Sequence, residues 1–189
     1  MFRRRRTSSR TKWGIIGGAI AGAAALIPLI PMIKRRGMRV TTLLKKDHRV
    51  VSGLITTLQL TPRMNGMVRE TLLDQIRNHV MVHAQAEEEI LYPAIRNVVA
   101  HEEQWKVDKS YHKHQQVKDI LNDLGTMDPT TDAFDTKFAH FKQMIGHHVE
   151  EEESEMFEIL KQRMSTEQQE QLGRRIHDRK VNLKARRAA

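Results

Sequence analysis

From Val40 onward, apolar residues recur at steps of three and four, the spacing that lines one face of an α-helix. Leu44, His48, Val51, Ile55 and Leu58 form such a stripe and predict a helix over about 40–60. Thr61, Pro62, Asn65 and Gly66 read as a loop. Leu72, Ile76, Val80, His83, Glu87, Ile90 and Ala94 predict a second helix from about Met67 to the high nineties, bent near Pro93. A third, over about 104–124, carries Val107, Tyr111, His114, Val117, Leu121 and Leu124. After a turn-rich break, Phe134, Phe138, Phe141, Ile145, His148, Glu152 and Ile159 predict a fourth over about 133–163. Ser165 followed by Gln168 has the form of a capping box opening a short basic helix to about 185. The fold expected is all-α: an antiparallel up-down four-helix bundle with a short C-terminal helix.

Each of the four long helices has a histidine in the middle of its apolar stripe, and two of the four have a glutamate one turn later. A buried carboxylate is costly unless it is paired, hydrogen-bonded or bound to metal. The pattern also repeats. The run around Asp47 and His48 resembles the run around Lys113 and His114, 66 residues on. His83 with Glu87 resembles His148 with Glu152, 65 residues on. Two helix pairs about a pseudo-twofold axis would bring four imidazoles and two carboxylates together. Such a set suits two borderline metal ions, iron before manganese, and exceeds what one tetrahedral zinc needs.

These residues, at this spacing and in this bundle, resemble the hemerythrin family and its bacterial branch, the HHE cation-binding domain. The resemblance covers roughly residues 41–187 and includes Tyr92-Pro93 at the end of the second helix. It implies a non-haem, carboxylate-bridged centre of two iron ions. His48, His83, Glu87, His114, His148 and Glu152 match the family's ligand positions, with Glu87 and Glu152 as bridges. Where oxygen-carrying members have a fifth histidine one turn before the third-helix ligand, this chain has Ser110, so one position is left open or filled by water. Glu150 to Glu153 run together, and a shift of one residue selects Glu151 or Glu153 instead of Glu152. The remaining acidic residues beside Glu87 and Glu152 read as solvated faces. His79 reads as packed or surface rather than as a further ligand, and His101, His140 and His177 as solvated.

Composition and charge change the picture at the ends of the chain. Cysteine is absent, which excludes disulfides, thiolate ligands and cysteine nucleophiles. The net charge of +9 comes from the termini: residues 1–39 hold ten Lys/Arg and no Asp/Glu, while residues 40–189 hold 22 basic and 23 acidic residues. No nucleic-acid interface is expected from an acidic body with basic ends. Trp13 to Ile33 carries no charge over 21 residues, and ~20 residues suffice to span a bilayer. Residues 1–39 therefore read as a basic, hydrophobic N-terminal segment, and 40–189 as the bundle. The N-terminal hydrophobic helix is expected to act as a membrane anchor, placing the protein at a bacterial inner membrane with undetermined orientation. Export after signal cleavage is the alternative. Gly14, Gly18 and Gly22 form a small-residue stripe suited to self-association.

The function expected is binding or sensing of oxygen or a related small diatomic, as a binding protein rather than an enzyme. Iron storage or metal sensing, or a di-iron oxidase or peroxide-handling enzyme, are the alternatives. No histidine follows a glutamate by three residues, which counts against the ferritin-like enzymes.

Overall fold

The structure, a computed structural model, describes residues 38–188. Helix α1 spans Val40–Leu60 and buries Leu44, His48, Val51, Ile55 and Leu58, as its spacing requires. Helix α2 spans Gly66–Ala86, passes through a π-turn at Glu87–Leu91, and continues as α3, Tyr92–Arg96. A 3₁₀ turn at His101–Glu103 leads into α4, Trp105–Leu124. Helix α5, Asp132–Glu151, is capped by the Thr131 side chain, which accepts from the Phe134 amide. A second π-turn, Glu152–Met156, joins it to α6, Phe157–Arg163. Helix α7, Thr166–Ala188, closes the chain. Its capping box is formed as expected: the Ser165 hydroxyl accepts from the Gln168 amide, and Gln168 Oε1 accepts from the Ser165 amide.

The π-turns are the main departure from the expected pattern. A π-turn inserts one residue into the helical repeat and rotates everything after it by about 100°. Beyond Glu87 the buried positions are therefore Leu91, Tyr92 and Ile95, with the expected Ile90 and Ala94 only partly covered. Well before the turn, Leu73 is buried in the core and the expected Leu72 is partly covered. Beyond Glu152 the buried residues are Met156, Phe157 and Leu160, with the expected Ile159 buried beside them. Pro93 follows the first π-turn, but the matching residue of the repeat is Glu158 and its π-turn forms all the same. The proline tolerates the distortion without causing it. Both turns begin at the carboxylate of a His-x-x-x-Glu pair, which is where π-turns tend to mark function.

Helix α1 packs on α2 and α4 on α5, while α7 lies against α1 and α2. Two apolar clusters result. One gathers Leu44, Leu91, Ile95, Phe157, Leu160 and Ile176; the other gathers Ile55, Ile76, Leu121, Phe134, Phe138 and Phe141. Along each long helix the histidine stripe position falls between the two, so the bundle carries a polar layer sandwiched by oil.

Helix α7 reaches the start of α1 through Gly173, the residue that permits the closest backbone approach there. A methyl group at that position would collide with the Met38 carbonyl and lie 3.1 Å from the Val40 nitrogen. Gly173→Ala is expected to destabilise the fold by about 1–3 kcal/mol, the usual cost of overpacking. Denaturant unfolding measures this, and wild-type stability in the variant would show that α7 has slack.

The anchor expected over Trp13 to Ile33, and the glycine stripe within it, lie outside the described residues. Among the described residues no helix is long and apolar enough to cross a membrane. The physical reason is amphipathicity: each apolar stripe is already used by the bundle core, and the opposite faces are charged. The expected membrane localisation is corrected on that ground and carries no part of the functional reading.

A candidate metal centre between two apolar cores

Helices α1, α2, α4 and α5 each deliver one histidine to the polar layer: His48, His83, His114 and His148, all buried. The two π-turns deliver Glu87 and Glu152, which are 0% and 2% exposed. The six residues fall into two halves. His48 and His83 lie with their ring centres 5.0 Å apart, and His114 and His148 with theirs 4.6 Å apart.

Each carboxylate reaches one histidine of each half. Glu87 Oε1 is 3.0 Å from His83 Nε2, and its Oε2 is 3.4 Å from His114 Nε2. Glu152 Oε2 is 3.5 Å from both His48 Nε2 and His148 Nε2. Ligand atoms of His48, His83, Glu87 and Glu152 lie within 4.8 Å of one another, as do those of Glu87, His114 and His148. The run of glutamates is sorted by this packing. Glu151 turns outward to Lys109 and Lys113, Glu153 sits beside His48, and Glu152 enters the cluster.

The imidazoles are oriented from behind. His48 Nδ1 donates to Glu153 Oε1 at 2.8 Å, and Glu153 is paired with Lys45 at 3.0 Å. His114 Nδ1 lies 3.0 Å from Glu88 Oε1, which also accepts from Lys118 at 2.6 Å. His83 Nδ1 faces Asp47 Oδ2 at 3.5 Å, and Asp47 is paired with Lys180 of α7. A carboxylate behind Nδ1 fixes the tautomer and leaves Nε2 free to face inward. Glu88 and Glu153 are thus not solvated faces, and Glu89 is engaged by Arg179. Their role follows from the π-turns, which rotate the residue after each buried glutamate back toward the layer. Asp47, immediately before His48, gave no periodic signal of its own.

His79, one turn before His83, stays outside the cluster and lines a surface pocket with Lys184 and Arg187. His101, His140, His147 and His177 are exposed.

Seven buried side-chain atoms in the layer have no hydrogen-bond partner: His48 Nε2, both His83 nitrogens, and all four oxygens of Glu87 and Glu152. An unsatisfied buried polar atom costs about 1–3 kcal/mol, more when charged. So many in one place is what a cation site looks like before a cation is counted.

Electrostatics agree. Burial opposes charge on His83, yet the Glu87 and Asp47 carboxylates outweigh it and raise its pKa to about 10. Burial and the neighbouring His114 push His148 down to about 3. Burial also opposes charge on Glu87, but His83 beside it holds the carboxyl below the usual range. The carboxylates thus favour the protonated form of His83, while burial and His114 favour the neutral form of His148.

Metal binding requires neutral imidazole. Below about pH 10 the proton on His83 competes with metal, so affinity should rise with pH, by up to about tenfold per unit for one proton displaced. Metal uptake near neutral pH is expected to release at least one proton per chain, measurable by calorimetry in buffers of different ionisation heat. No release and a pH-independent affinity would contradict this electrostatic account.

A cavity of about 200 Å³ runs from the histidines toward the surface between apolar walls that include Val51, Ile55, Val80, Val117 and Val149. Exposed Ser52, Thr56 and Lys142 border its outer end.

A helical bundle enclosing a buried, doubled His/Glu cluster defines a metal-binding protein. The sequence model of the hemerythrin HHE cation-binding domain matches residues 39–160. The chain belongs to that family. A crystal structure of an HHE cation-binding domain-containing protein from Mycobacterium kansasii superposes with a TM-score of 0.66 over 78% of this chain and 88% of that one, at 22% identity. A protein of Nostoc sp. described as a DNA nickase is 26% identical over 161 residues. That match takes in 84% of this chain but only 44% of the relative, so the chain spans less than half its length.

Proposed function

We propose that His48, His83, Glu87, His114, His148 and Glu152 hold a pair of iron ions that binds or senses oxygen or a related small diatomic. One observation carries the reading: each buried carboxylate faces a histidine of each half, the arrangement a bridging ligand needs. His48 and His83 would hold one ion and His114 and His148 the other. Nitrogen and carboxylate donors in this number favour iron, then manganese, over a single zinc. When bound, such a pair supplies electrons to a diatomic ligand and can take them back.

The protein's own part is to position and to exclude. Glu153 and Glu88 hold two of the rings by their outer nitrogens and Asp47 faces a third at 3.5 Å, with lysines holding the carboxylates in turn. The two apolar cores keep bulk water from the layer, and the valine-walled cavity admits a small uncharged molecule. The name of the Nostoc relative does not transfer easily. A centre buried this deeply, reached through an apolar passage, gives a phosphodiester strand no way in.

Iron analysis of the full-length chain, followed by optical spectra of the reduced protein under oxygen and then under vacuum, tests the reading. About two irons per chain, as expected of a paired-metal site, and a spectral change that vacuum reverses would support oxygen binding. Irreversible oxidation would favour an oxidase or a sensor consumed by its signal. A chain without bound metal would defeat the proposal.

A further inference from the structure

We propose that the cavity beside the histidines binds a small organic monocarboxylate with an apolar body of roughly six carbons, its carboxylate held at the mouth by Lys142 and its body lying against the valine walls. The inference stands on the cavity's own residues, whether or not iron is bound, and adds an organic anion to the diatomic of the reading above.

Size separates the two kinds of guest. A water-sized molecule needs about 10–15 Å³ of such space, and an apolar cavity of about 150 Å³ takes up benzene. The cavity here measures about 200 Å³, far more than a diatomic needs. Neither Glu87 nor Glu152 borders it. Most of its space therefore lies on the outer side of the rings, away from the points between ring and carboxylate that ions would take. Val51, Ile55, Val80 and Val117 wall it, and an apolar body gains by leaving water for such walls.

Charge selects the other end of the guest. The mouth opens between α1, with Ser52 and Thr56, and α5, with Lys142 and Gly146, all four exposed. Lys142 Nζ donates to the neutral Gln59 side chain at 2.8 Å, and among the described residues no carboxylate pairs with it. Asp47 is the acidic residue that borders the cavity, and Lys180 engages its charge. The Thr56 hydroxyl donates to the Ser52 carbonyl, which leaves the Ser52 hydroxyl as a second donor at the mouth. One ammonium and one hydroxyl suit a single negative charge. A cationic head would be repelled, and a second charge carried inward would be buried against apolar walls without a partner.

Gly146 points the same way. Glycine within a helix weakens it relative to alanine, yet packing does not require one here: a Cβ at Gly146 would meet no atom within 4 Å. The bare backbone keeps the α5 side of the mouth wide. Gly173, by contrast, is fixed by the close approach of α1.

Binding makes no covalent bond and transfers no electron. Seated in this way, the anion occupies the passage that a diatomic would use, a consequence that rests on the reading proposed above.

Calorimetric titration of the full-length, iron-loaded chain with hexanoate, benzoate, acetate and hexylamine tests the proposal. We expect one equivalent of hexanoate or benzoate to bind, with acetate and hexylamine at least about tenfold weaker, since each lacks one of the two recognised ends. Lys142→Glu should weaken hexanoate roughly three- to tenfold, the scale of an exposed ion pair lost and a repulsion added. Gly146→Leu, which fills the mouth, should abolish binding at an unchanged or higher thermal midpoint. Failure of both acids to bind would overturn the proposal, as would acetate binding equally well or an affinity unchanged in either variant. Should Gly146→Leu not fold, acetate and Lys142→Glu decide. A chain that takes up no iron yet binds hexanoate defeats only the paired-iron reading, whereas an iron-loaded chain that ignores both acids defeats only this inference.

Discussion

Glu87→Ala is expected to empty the centre, taking iron from about two per chain to a small fraction of one. Glu87 is fully buried and is the residue shared by both ligand groups of the layer. Its two oxygens face His83 and His114, one on each side. Alanine removes the common ligand and leaves the histidine pairs facing a cavity with less charge to offset two cations. Losing an outer-shell partner already costs about 10–100-fold in metal affinity, and losing a bridge should cost more. His101→Ala serves as the control, because His101 is exposed in the 3₁₀ turn and away from the layer. Metal analysis of both variants after identical purification decides the matter. Equal iron content in wild type and Glu87→Ala would remove the basis for a shared carboxylate.

Stripping the metal should lower the thermal midpoint by roughly 10 °C. A ligand present at a thousand times its Kd adds about 4 kcal/mol to stability, and each kcal/mol moves the midpoint of a domain this size by about 2–4 °C. The structural reason is the set of seven buried donor atoms with no hydrogen-bond partner. Without a cation they face one another, at the junction of two otherwise well-packed cores. Heating scans of iron-loaded and chelator-treated protein measure the difference. Equal midpoints would mean that the layer is satisfied without metal.

Much of this arrangement was legible in the chain because two periodicities coincide. The step of three and four places His48, His83, His114 and His148 on core-facing stripes, and the doubling of the His-x-x-x-Glu pair relates the halves. What periodicity could not show is where the repeat itself is broken. The π-turns at Glu87 and Glu152 advance the register by one residue, so a constant 3.6-residue period puts Ile90 and Ala94 inside and Glu88 and Glu153 outside. In the structure all four are partly covered, Ile90 and Ala94 at the edge of a core and Glu88 and Glu153 behind the histidines. Tyr92 shows the same limit from another side: its position after Glu87 looked like a family ending, and only the fold brings its hydroxyl beside His114. Asp47 needed α7 as well, since Lys180 is 133 residues away.

The expected N-terminal anchor rests on the uncharged run from Trp13 to Ile33 and the Lys34-Arg35-Arg36 stop after it, which lie outside the described residues. Among the described residues no helix is long and apolar enough to cross a membrane, and the ligand set of the layer comes from the bundle alone.

The proposed function requires two ions in one layer, one beside His48 and His83 and one beside His114 and His148, joined through Glu87 and Glu152. A crystal of the iron-loaded full-length protein, measured across the iron absorption edge, tests it directly. Two anomalous peaks about 3.5–4 Å apart are expected, each next to one histidine pair, with Glu87 and Glu152 between them. A single peak, or peaks outside this layer, would contradict it.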